Sequence, residues 1–480
     1  MSEFSYVLSR HIHEKNIKTY ALAQYCDFDR SNMYKIISGK RKPSSLEIVR
    51  KMSKFMHLSP AEAKELEEAY QITLAGYDNY FRRKAVMDFF GGFSLSTATL
   101  PSFNYGTEPI NNKEITFLNS SSEVKQALFH IISAEMSKRQ DGHIQLLIQP
   151  DATFLINLID AESQTGMDIH IEHIICLNNN PETTRSQKNY NLNCLQQILP
   201  LYGRYRHYEC FYYYDDIISK TGKFTLFPYM VITSRYVCLL TSDMNKGSVM
   251  SSASSYKMFS GIFGEYKQAA TALLNHVDNV TDQLTYVENL AHKRGTSYCF
   301  QMTPCFTPVI TLSLAEKYIT RNIPHRPEFV ARFHEYIKEM SVHLKSGNIS
   351  SIFSFEGVRR FLESGRIDEY PASVCLPFDI HDRIYLVKKL IYLCKIAPYR
   401  MLRKNIGDPE HGLYLFVNQQ NGYLMFASPY NGQPIYLNIE EPGLLFTFYD
   451  FCENLEDNMF YTYEETEDLL NELIKNRNNA

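Results

Sequence analysis

Between residues 19 and 37 the sequence predicts two short helices joined by a tight turn, and this segment constrains the fold more than any other. The first helix, residues 19–25, presents Leu22 and Ala23 to the interior, and the small side chain of Ala23 lets a second helix cross closely. Asp27 lies in the turn, where the chain needs a residue that tolerates left-handed dihedral angles. The segment therefore predicts a compact helical domain.

The second helix of this pair, residues 30–37, has a buried stripe and a polar outer face. Asp29 is expected to cap its first turn, and Met33, Ile36 and Ile37 supply the stripe. The outer face carries hydrogen-bonding side chains suited to base edges and phosphates, namely Arg30, Ser31, Asn32, Tyr34 and Lys35. Gly39 ends the helix, and residues 40–43 (Lys-Arg-Lys-Pro) follow as a basic corner suited to phosphate contacts.

Further helices flank this pair. An amphipathic helix is predicted before it, because apolar residues recur at helical spacing from Phe4 to Ile12. Two capping boxes after it, Ser44-x-x-Glu47 and Ser59-x-x-Glu62, each predict the start of another helix. The N-terminal part of the chain, residues 1–75, is therefore expected to be an all-α domain of five helices.

This region resembles the lambda-repressor/Cro-type (Xre) helix-turn-helix family. The likeness rests on Leu22-Ala23, a four-residue gap, Phe28, and then the run Ile36-Ile37-Ser38-Gly39-Lys40-Arg41-x-Pro43. It covers about residues 3–70 and departs from the family at Asp27, where the family usually has Gly. The resemblance implies a DNA-binding domain whose recognition helix enters the major groove N-terminus first.

The resemblance also implies roles for individual residues. Arg30, Ser31 and Lys35 align with the positions that read bases. The positions at the groove edge or on phosphates correspond to Thr19, Asn32, Tyr34, Lys40 and Arg41. A bidentate contact from Arg30 to guanine would contribute about 1–3 kcal/mol of discrimination between bases. The alternative is a helical domain used for protein contact, with the basic corner merely solvated.

Charge is distributed unevenly along the chain. Residues 1–58 contain 11 Lys and Arg against 5 Asp and Glu, and the remainder contains 38 against 48. A basic N-terminal part followed by an acidic remainder is typical of a DNA-binding module joined to another domain.

Residues 76–117 are expected to be a connecting helix and linker, in which Arg82-Arg83-Lys84 either adds DNA backbone contacts or forms a solvated face.

The rest of the chain predicts two more folded regions. Residues 118–300 alternate between helix and strand patterns, which favours an α/β domain for sensing or dimerisation. That region includes a hairpin at 229–240 and a long helix from Met258 to His276. Residues 301–480 predict an α+β module in which helices precede a three-stranded meander, with Asn421-Gly422 as a strong hairpin signal.

No motif in the sequence points to catalysis. The strand and helix order of residues 118–300 resembles phospholipase D-like domains, but that family's His-x-Lys motif with Asp downstream is absent. Walker, Gly-x-Ser-x-Gly and His-Glu-x-x-His motifs are also absent. The ten cysteines and fifteen histidines are scattered without ligand spacing. The sequence therefore predicts a protein that is not an enzyme and that uses no metal or cofactor.

These observations predict a multidomain, sequence-specific DNA-binding transcriptional regulator. Its expected partners are double-stranded DNA, a second copy of the chain in a homodimer, and an unidentified small-molecule or peptide effector. With no signal peptide and no stretch of ~20 apolar residues, a cytoplasmic location without membrane contact is expected. The alternatives are an enzyme of unrecognised activity with a DNA-binding head used for targeting or autoregulation, and a scaffold that docks proteins through the helical head.

Overall fold

The computed structural model describes residues 2–95, 114–138, 141–162, 168–179, 189–215, 226–277, 280–291, 295–408, 412–430 and 432–478. The chain divides into two compact units, which we call the head, Met1–Ala85, and the body, Val86–Ala480. Most of the predicted linker lies outside the described residues, between 96 and 113. None of the helices in the described ranges is both long enough and apolar enough to span a bilayer.

The head is built from helices alone, as far as its residues are described. They are α1 (Glu3–Glu14), α2 (Thr19–Tyr25), α3 (Arg30–Ile37), α4 (Leu46–Phe55), α5 (Pro60–Ala75) and the first part of α6 (Tyr77–Gly91). The division between head and body falls inside α6. The core is formed by apolar residues from α1 to α5, including the fully buried Leu8, Leu22, Met33, Val49, Met52 and Leu66. Burial of these side chains holds the short helices together, since helices of this length are marginal in isolation.

Side-chain caps define where α4 and α5 begin. Ser59 and Glu62 form the predicted capping box, in which each side chain bonds the other residue's backbone N–H. The box predicted at Ser44-x-x-Glu47 is wrong. Instead, the hydroxyl of Ser45 accepts from the N–H of Ile48 at 3.4 Å, because α4 begins one residue later than expected.

The first sheet of the body has eight strands in the order β1-β7-β6-β5-β2-β3-β4-β8. The strands are β1 (Ile115–Leu118), β2 (Gly142–Leu147), β3 (Ile169–Asn178), β4 (His207–Asp215), β5 (Tyr229–Thr233), β6 (Val237–Leu240), β7 (Gly247–Met250) and β8 (Thr271–Ala272). Its helices are α7 (Ser121–Met136), α8 (Thr153–Ala161), α9 (Tyr190–Arg204) and α10 (Ala253–Ala269). Strands β2, β3 and β4 are parallel, and α8 and α9 connect them. The sheet is mixed, because β5, β6 and β7 pair antiparallel.

Two sequence predictions for this region have different outcomes. The hairpin at 229–240 is confirmed, since β5 pairs antiparallel with β6. The long helix predicted from Met258 to His276 is wrong at both ends, because α10 begins at Ala253 and ends at Ala269. Residues 271–277 are extended instead, since they pair with strands distant in sequence.

The second sheet has seven strands in the order β12-β11-β10-β13-β14-β15-β9. The strands are β9 (Leu274–Val277), β10 (Ser297–Phe300), β11 (Ile349–Ser354), β12 (Tyr399–Leu402), β13 (Tyr414–Val417), β14 (Gly422–Ala427) and β15 (Pro434–Ile439). The helices are α11 (Val280–Ala291), α12 (Leu312–Tyr318), α13 (Arg326–Lys345), α14 (Phe355–Ser364), α15 (Ile380–Ile396), α16 (Pro442–Glu453) and α17 (Tyr463–Asn478). The predicted meander is confirmed by the antiparallel pairing of β13, β14 and β15. The parallel pairs β10–β11 and β11–β12 make this sheet mixed as well.

The two sheets meet at one residue between β8 and β9. The N–H of Leu273 donates to the carbonyl of Cys210 in β4 at 2.8 Å, and the carbonyl of Leu273 accepts from the N–H of Glu440 at 3.2 Å. The second sheet therefore begins at Leu274. Strand β10 lies in its interior, between β11 and β13. The sequence-based division at residue 300 instead groups β9 and β10 with the region that forms the first sheet.

Candidate nucleic-acid interface

Helix α3 turns one face to the core of the head and the other to solvent. Met33 and Ile36 are fully buried, whereas Ile37 is half-buried against the same core. On the opposite face the side chains of Arg30, Ser31, Tyr34 and Lys35 are exposed, and Asn32 is half-buried. The residues predicted to read bases therefore share the solvent-facing side of one helix. Their functional groups are the hydroxyl and cationic types that bind base edges and phosphates.

The turn before α3 adopts the conformation predicted for it. Asp27 has φ +59°, in the left-handed region. Its carboxylate lies 3.5 Å from the ammonium of Lys51, and Phe28 packs against the head core. This turn sets the direction in which α3 leaves α2, so it determines which face of α3 is exposed.

Asn32 links the two ends of the candidate interface. The Asp29 carboxylate accepts from the backbone N–H of Asn32 at 2.7 Å and from its side-chain amide at 2.5 Å. The guanidinium of Arg41 donates to the side-chain oxygen of Asn32 at 2.7 Å. This Asn32 bridge ties the N-terminal cap of α3 to the basic corner that follows the helix. Asn32, which is predicted to contact the groove edge, thus also positions Arg41, which is predicted to contact phosphates.

The basic corner is held by backbone as well as side-chain bonds. The N–H of Arg41 donates to the carbonyl of Lys35 at 3.1 Å, so the chain folds back over the end of α3. Pro43 is buried, and its carbonyl accepts from the hydroxyl of Tyr70 at 3.3 Å. Lys40, Arg41 and Lys42 remain exposed. The three exposed cations therefore lie on a turn held by hydrogen bonds at both ends, an arrangement suited to contact with phosphates.

Gly39 is required at the end of α3 for two reasons. Its φ is +76°, where residues with a side chain are strained. A Cβ at this position would also lie 2.8 Å from Oγ of Ser5 and 3.0 Å from the backbone N of Ser2. Helix α1 can therefore pass directly beneath the corner, which fixes the corner against the core of the head.

Two other predicted residues, Tyr34 and Thr19, lie on α3 and at the start of α2. The guanidinium of Arg30 lies 5.6 Å from the centroid of the Tyr34 ring, a distance that allows a cation–π contact along the helix surface. Thr19 is the first residue of α2 and is half-buried. Tyr34 is thus placed to orient Arg30, in addition to its predicted role at the groove edge.

The basic triplet before the body is engaged in contacts within the head. The ammonium of Lys84 lies 2.7 Å from the carboxylate of Glu68, and Arg82 donates to the side chain of Asn79 at 2.9 Å. Both interpretations of this triplet, DNA backbone contact and the solvated face of a connecting helix, stay predictions.

Within the described residues, one group of metal-ligating side chains brings its donor atoms within 4.8 Å of one another, namely Asp168, His170 and His207. The two imidazole rings stack at 4.4 Å with an interplanar angle of 9°, because His170 and His207 are direct partners in β3 and β4. Nitrogen lone pairs lie in the ring plane, so those of parallel stacked rings do not converge on one ion. We therefore do not assign a metal site to this group.

The Asn32 bridge can be tested by a double-mutant cycle. Asn32→Ala and Arg41→Ala are each expected to lower the free energy of unfolding of the head by about 0.5–1.5 kcal/mol, because each removes the same hydrogen bond. The double variant should lose less than the sum of the two, with a coupling energy of at least about 0.5 kcal/mol, measured by urea unfolding. Strictly additive losses would contradict the bridge.

Comparisons with known proteins add little to this geometry. No model of a protein family matches the chain, and no curated protein sequence matches it. Among solved structures, the chain is similar to the archaeal chromatin protein TrmBL2, which shows a novel mode of DNA binding. The two are 11% identical, the match covers 51% of this chain and 84% of that one, and the TM-score is 0.19. A TM-score this low does not establish a common fold.

Proposed function

We propose that the protein is a sequence-specific DNA-binding transcriptional regulator whose helix α3 reads bases in the major groove. The observation that carries the proposal is the arrangement of α3, which exposes Arg30, Ser31 and Lys35 on one side and buries Met33 and Ile36 on the other. An α-helix fits the width of the major groove, and an arginine can donate two bonds to guanine there. We assign the head to the Xre helix-turn-helix family as part of this proposal.

The charges around α3 support the same function. The exposed Lys40, Arg41 and Lys42 follow the helix directly, and residues 1–58 carry 11 basic against 5 acidic residues. Phosphate contacts supply most of the affinity of DNA-binding proteins, whereas contacts to bases supply the specificity. The proposal therefore divides the work between the basic corner, which would bind the DNA backbone, and α3, which would discriminate sequences.

A homodimer held by the body is part of the proposal. One small helical domain makes too few base contacts for useful specificity, and regulators of this kind pair two domains on a palindromic site. The proposed place of action is the cytoplasm. Analytical ultracentrifugation of the full-length protein at micromolar concentration should give a dimer, with or without DNA. A monomer under both conditions would contradict this part of the proposal.

The base-reading role can be tested with the full-length protein and DNA selected from a random duplex library. Replacing Arg30 and Lys35 together by alanine should reduce the preference for the selected sequence over a scrambled one to near unity. The expected loss is about 1–3 kcal/mol for each bidentate contact removed, measured by fluorescence anisotropy. Circular dichroism should remain unchanged, because both side chains are exposed.

Two single variants serve as controls. Lys42→Ala should weaken binding to both DNAs equally and lower the slope of log K against log salt concentration by about one, since it removes one phosphate contact. Lys64→Ala, on the exposed surface of α5, should change neither property. If the double variant keeps the preference of the unmodified protein while folded, α3 does not read bases.

A further inference from the structure

The body contains an apolar cavity of about 80 Å³ beside the second sheet. It is lined by residues of α11, α12 and α13, by the segment between α14 and α15, and by β14 and β15. Most of its wall is aliphatic or aromatic, with Leu314, Phe329, Phe333 and Val374 among the buried residues that face it. Cavities lined mainly by apolar side chains accept small apolar molecules.

One residue in the wall is out of place in such a cavity. The side chain of Gln283 in α11 is only 4% exposed, and neither its amide nitrogen nor its amide oxygen has a hydrogen-bond partner among the described residues. Buried polar groups in proteins nearly always have a partner, because an unmet donor or acceptor keeps the full cost of losing water. The amide NH2 of Gln283, with its two donors, and its amide oxygen are therefore both unpaired at the cavity wall.

A second polar group faces the same space. The Oε2 atom of Glu369 is buried without a partner, while the backbone carbonyl of Glu369 accepts from the hydroxyl of Tyr436 at 2.8 Å. Burial raises the pKa of Glu369 to about 7, with the nearby Asp368 carboxylate acting in the same direction and the Tyr414 hydroxyl opposing it. The Glu369 carboxyl group is therefore a second buried polar group at the wall of this cavity.

We infer that this cavity is a binding site for a small neutral molecule with an apolar body and an amide-type head that pairs with Gln283. An amide offers a donor and an acceptor side by side, which matches the two unmet groups of the Gln283 side chain. Apolar walls favour the body of such a molecule and disfavour a charge. The volume limits the enclosed part to a compact group of a few heavy atoms. The inference concerns the body alone and does not rest on the proposed function.

Isobutyramide is a suitable probe, because it joins a branched apolar group to a primary amide within six heavy atoms. The full-length protein should bind it in a ligand-detected NMR titration, at least tenfold more tightly than it binds isobutyrate, the charged analogue of the same size. Gln283→Leu should weaken isobutyramide binding at least tenfold, because it removes the pairing amide and keeps the volume of the side chain.

Gln301→Leu is the matched control. Gln301 is also 4% exposed and also has an unpaired amide nitrogen, but it lines a different cavity. This variant should bind isobutyramide as the unmodified protein does. If the unmodified protein shows no binding at 50 mM probe, or if Gln283→Leu binds as well as Gln301→Leu, the inference is overturned. A crystal structure in which ordered waters pair with Gln283 and persist in the presence of the probe would also overturn it.

Discussion

The full-length protein carrying Gly357→Ala is expected to lose the folded structure of its body. Gly357 is the third residue of α14, and a Cβ there would lie 1.8 Å from the carbonyl oxygen of Met302 and 2.7 Å from the backbone N of Thr303. The contacted atoms are backbone atoms that cannot turn away. The same Met302 carbonyl accepts from the N–H of Ser354 at 3.0 Å, so moving it breaks the bond between the N-cap residue of α14 and the segment that follows β10.

We expect this substitution to lower the free energy of unfolding of the body by more than about 4 kcal/mol, which is at the extreme of single-residue effects. Circular dichroism and thermal unfolding measure the loss. Gly261→Ala is the control, because Gly261 lies within α10 and a Cβ there meets no atom within 4 Å. That change should raise the stability by about 0.5–1 kcal/mol, the usual gain from alanine in an exposed helix. Equal effects of the two substitutions would contradict the close approach at Gly357.

The second large effect is expected at a buried ion pair between α8 and α9. The guanidinium of Arg204 bonds the carboxylate of Asp160, and the two side chains are only 5% and 7% exposed. Arg204 also donates to the carbonyl of Leu95 at 2.7 Å. Asp160→Ala would leave the guanidinium buried without its counterion, and we expect a loss of about 3–5 kcal/mol in the free energy of unfolding.

A paired replacement separates the loss of the pair from the burial of one uncompensated charge. The double variant Asp160→Leu with Arg204→Met removes both charges and keeps most of the volume, so it should lose clearly less stability than Asp160→Ala. Urea unfolding of both variants gives the comparison. If the double variant is the less stable of the two, packing around Arg204 matters more than the charge.

Much of the head could be predicted from the sequence because its signals are local. Asp29 caps α3, the Ser59–Glu62 box opens α5, and Asp27 occupies the left-handed region, each as its neighbours in the sequence indicate. Even the error at Ser44 concerns a shift of one residue. A cap or a turn depends on residues within one helical turn, so a single sequence contains the information it needs.

The extended segment at 271–277 could not be predicted in the same way. Its partners are Phe211 and Tyr212 in β4 and residues 436–439 in β15, more than fifty residues away in the sequence on either side. Strand formation there depends on those partners, and the local pattern alone favoured continuing the preceding helix. Tertiary pairing overrides local preference wherever it satisfies the backbone of a short segment.

In the candidate interface, too, local patterns can be predicted from the sequence, whereas contacts between residues further apart cannot. The exposure of Arg30, Ser31 and Lys35 follows from the burial of Met33 and Ile36, which periodicity predicts. The bond from Arg41 to Asn32 crosses nine residues and a turn, and no spacing rule predicts it. The cavity depends on side chains as far apart as Gln283 and Tyr436, which only the folded sheet brings together.

The junction at Leu273 has a consequence for dividing the protein into fragments. A fragment beginning at residue 301 would lack β9 and β10, and β10 lies between β11 and β13 in the second sheet. Such a fragment would expose the edges of three strands that the intact chain keeps paired, β11, β13 and β15, which invites aggregation. A fragment ending at residue 300 would contain β9 and β10 without the strands of the second sheet that pair with them. The body should therefore be expressed whole, since β8 of the first sheet continues through Leu273 directly into β9 of the second sheet, with no linker between them.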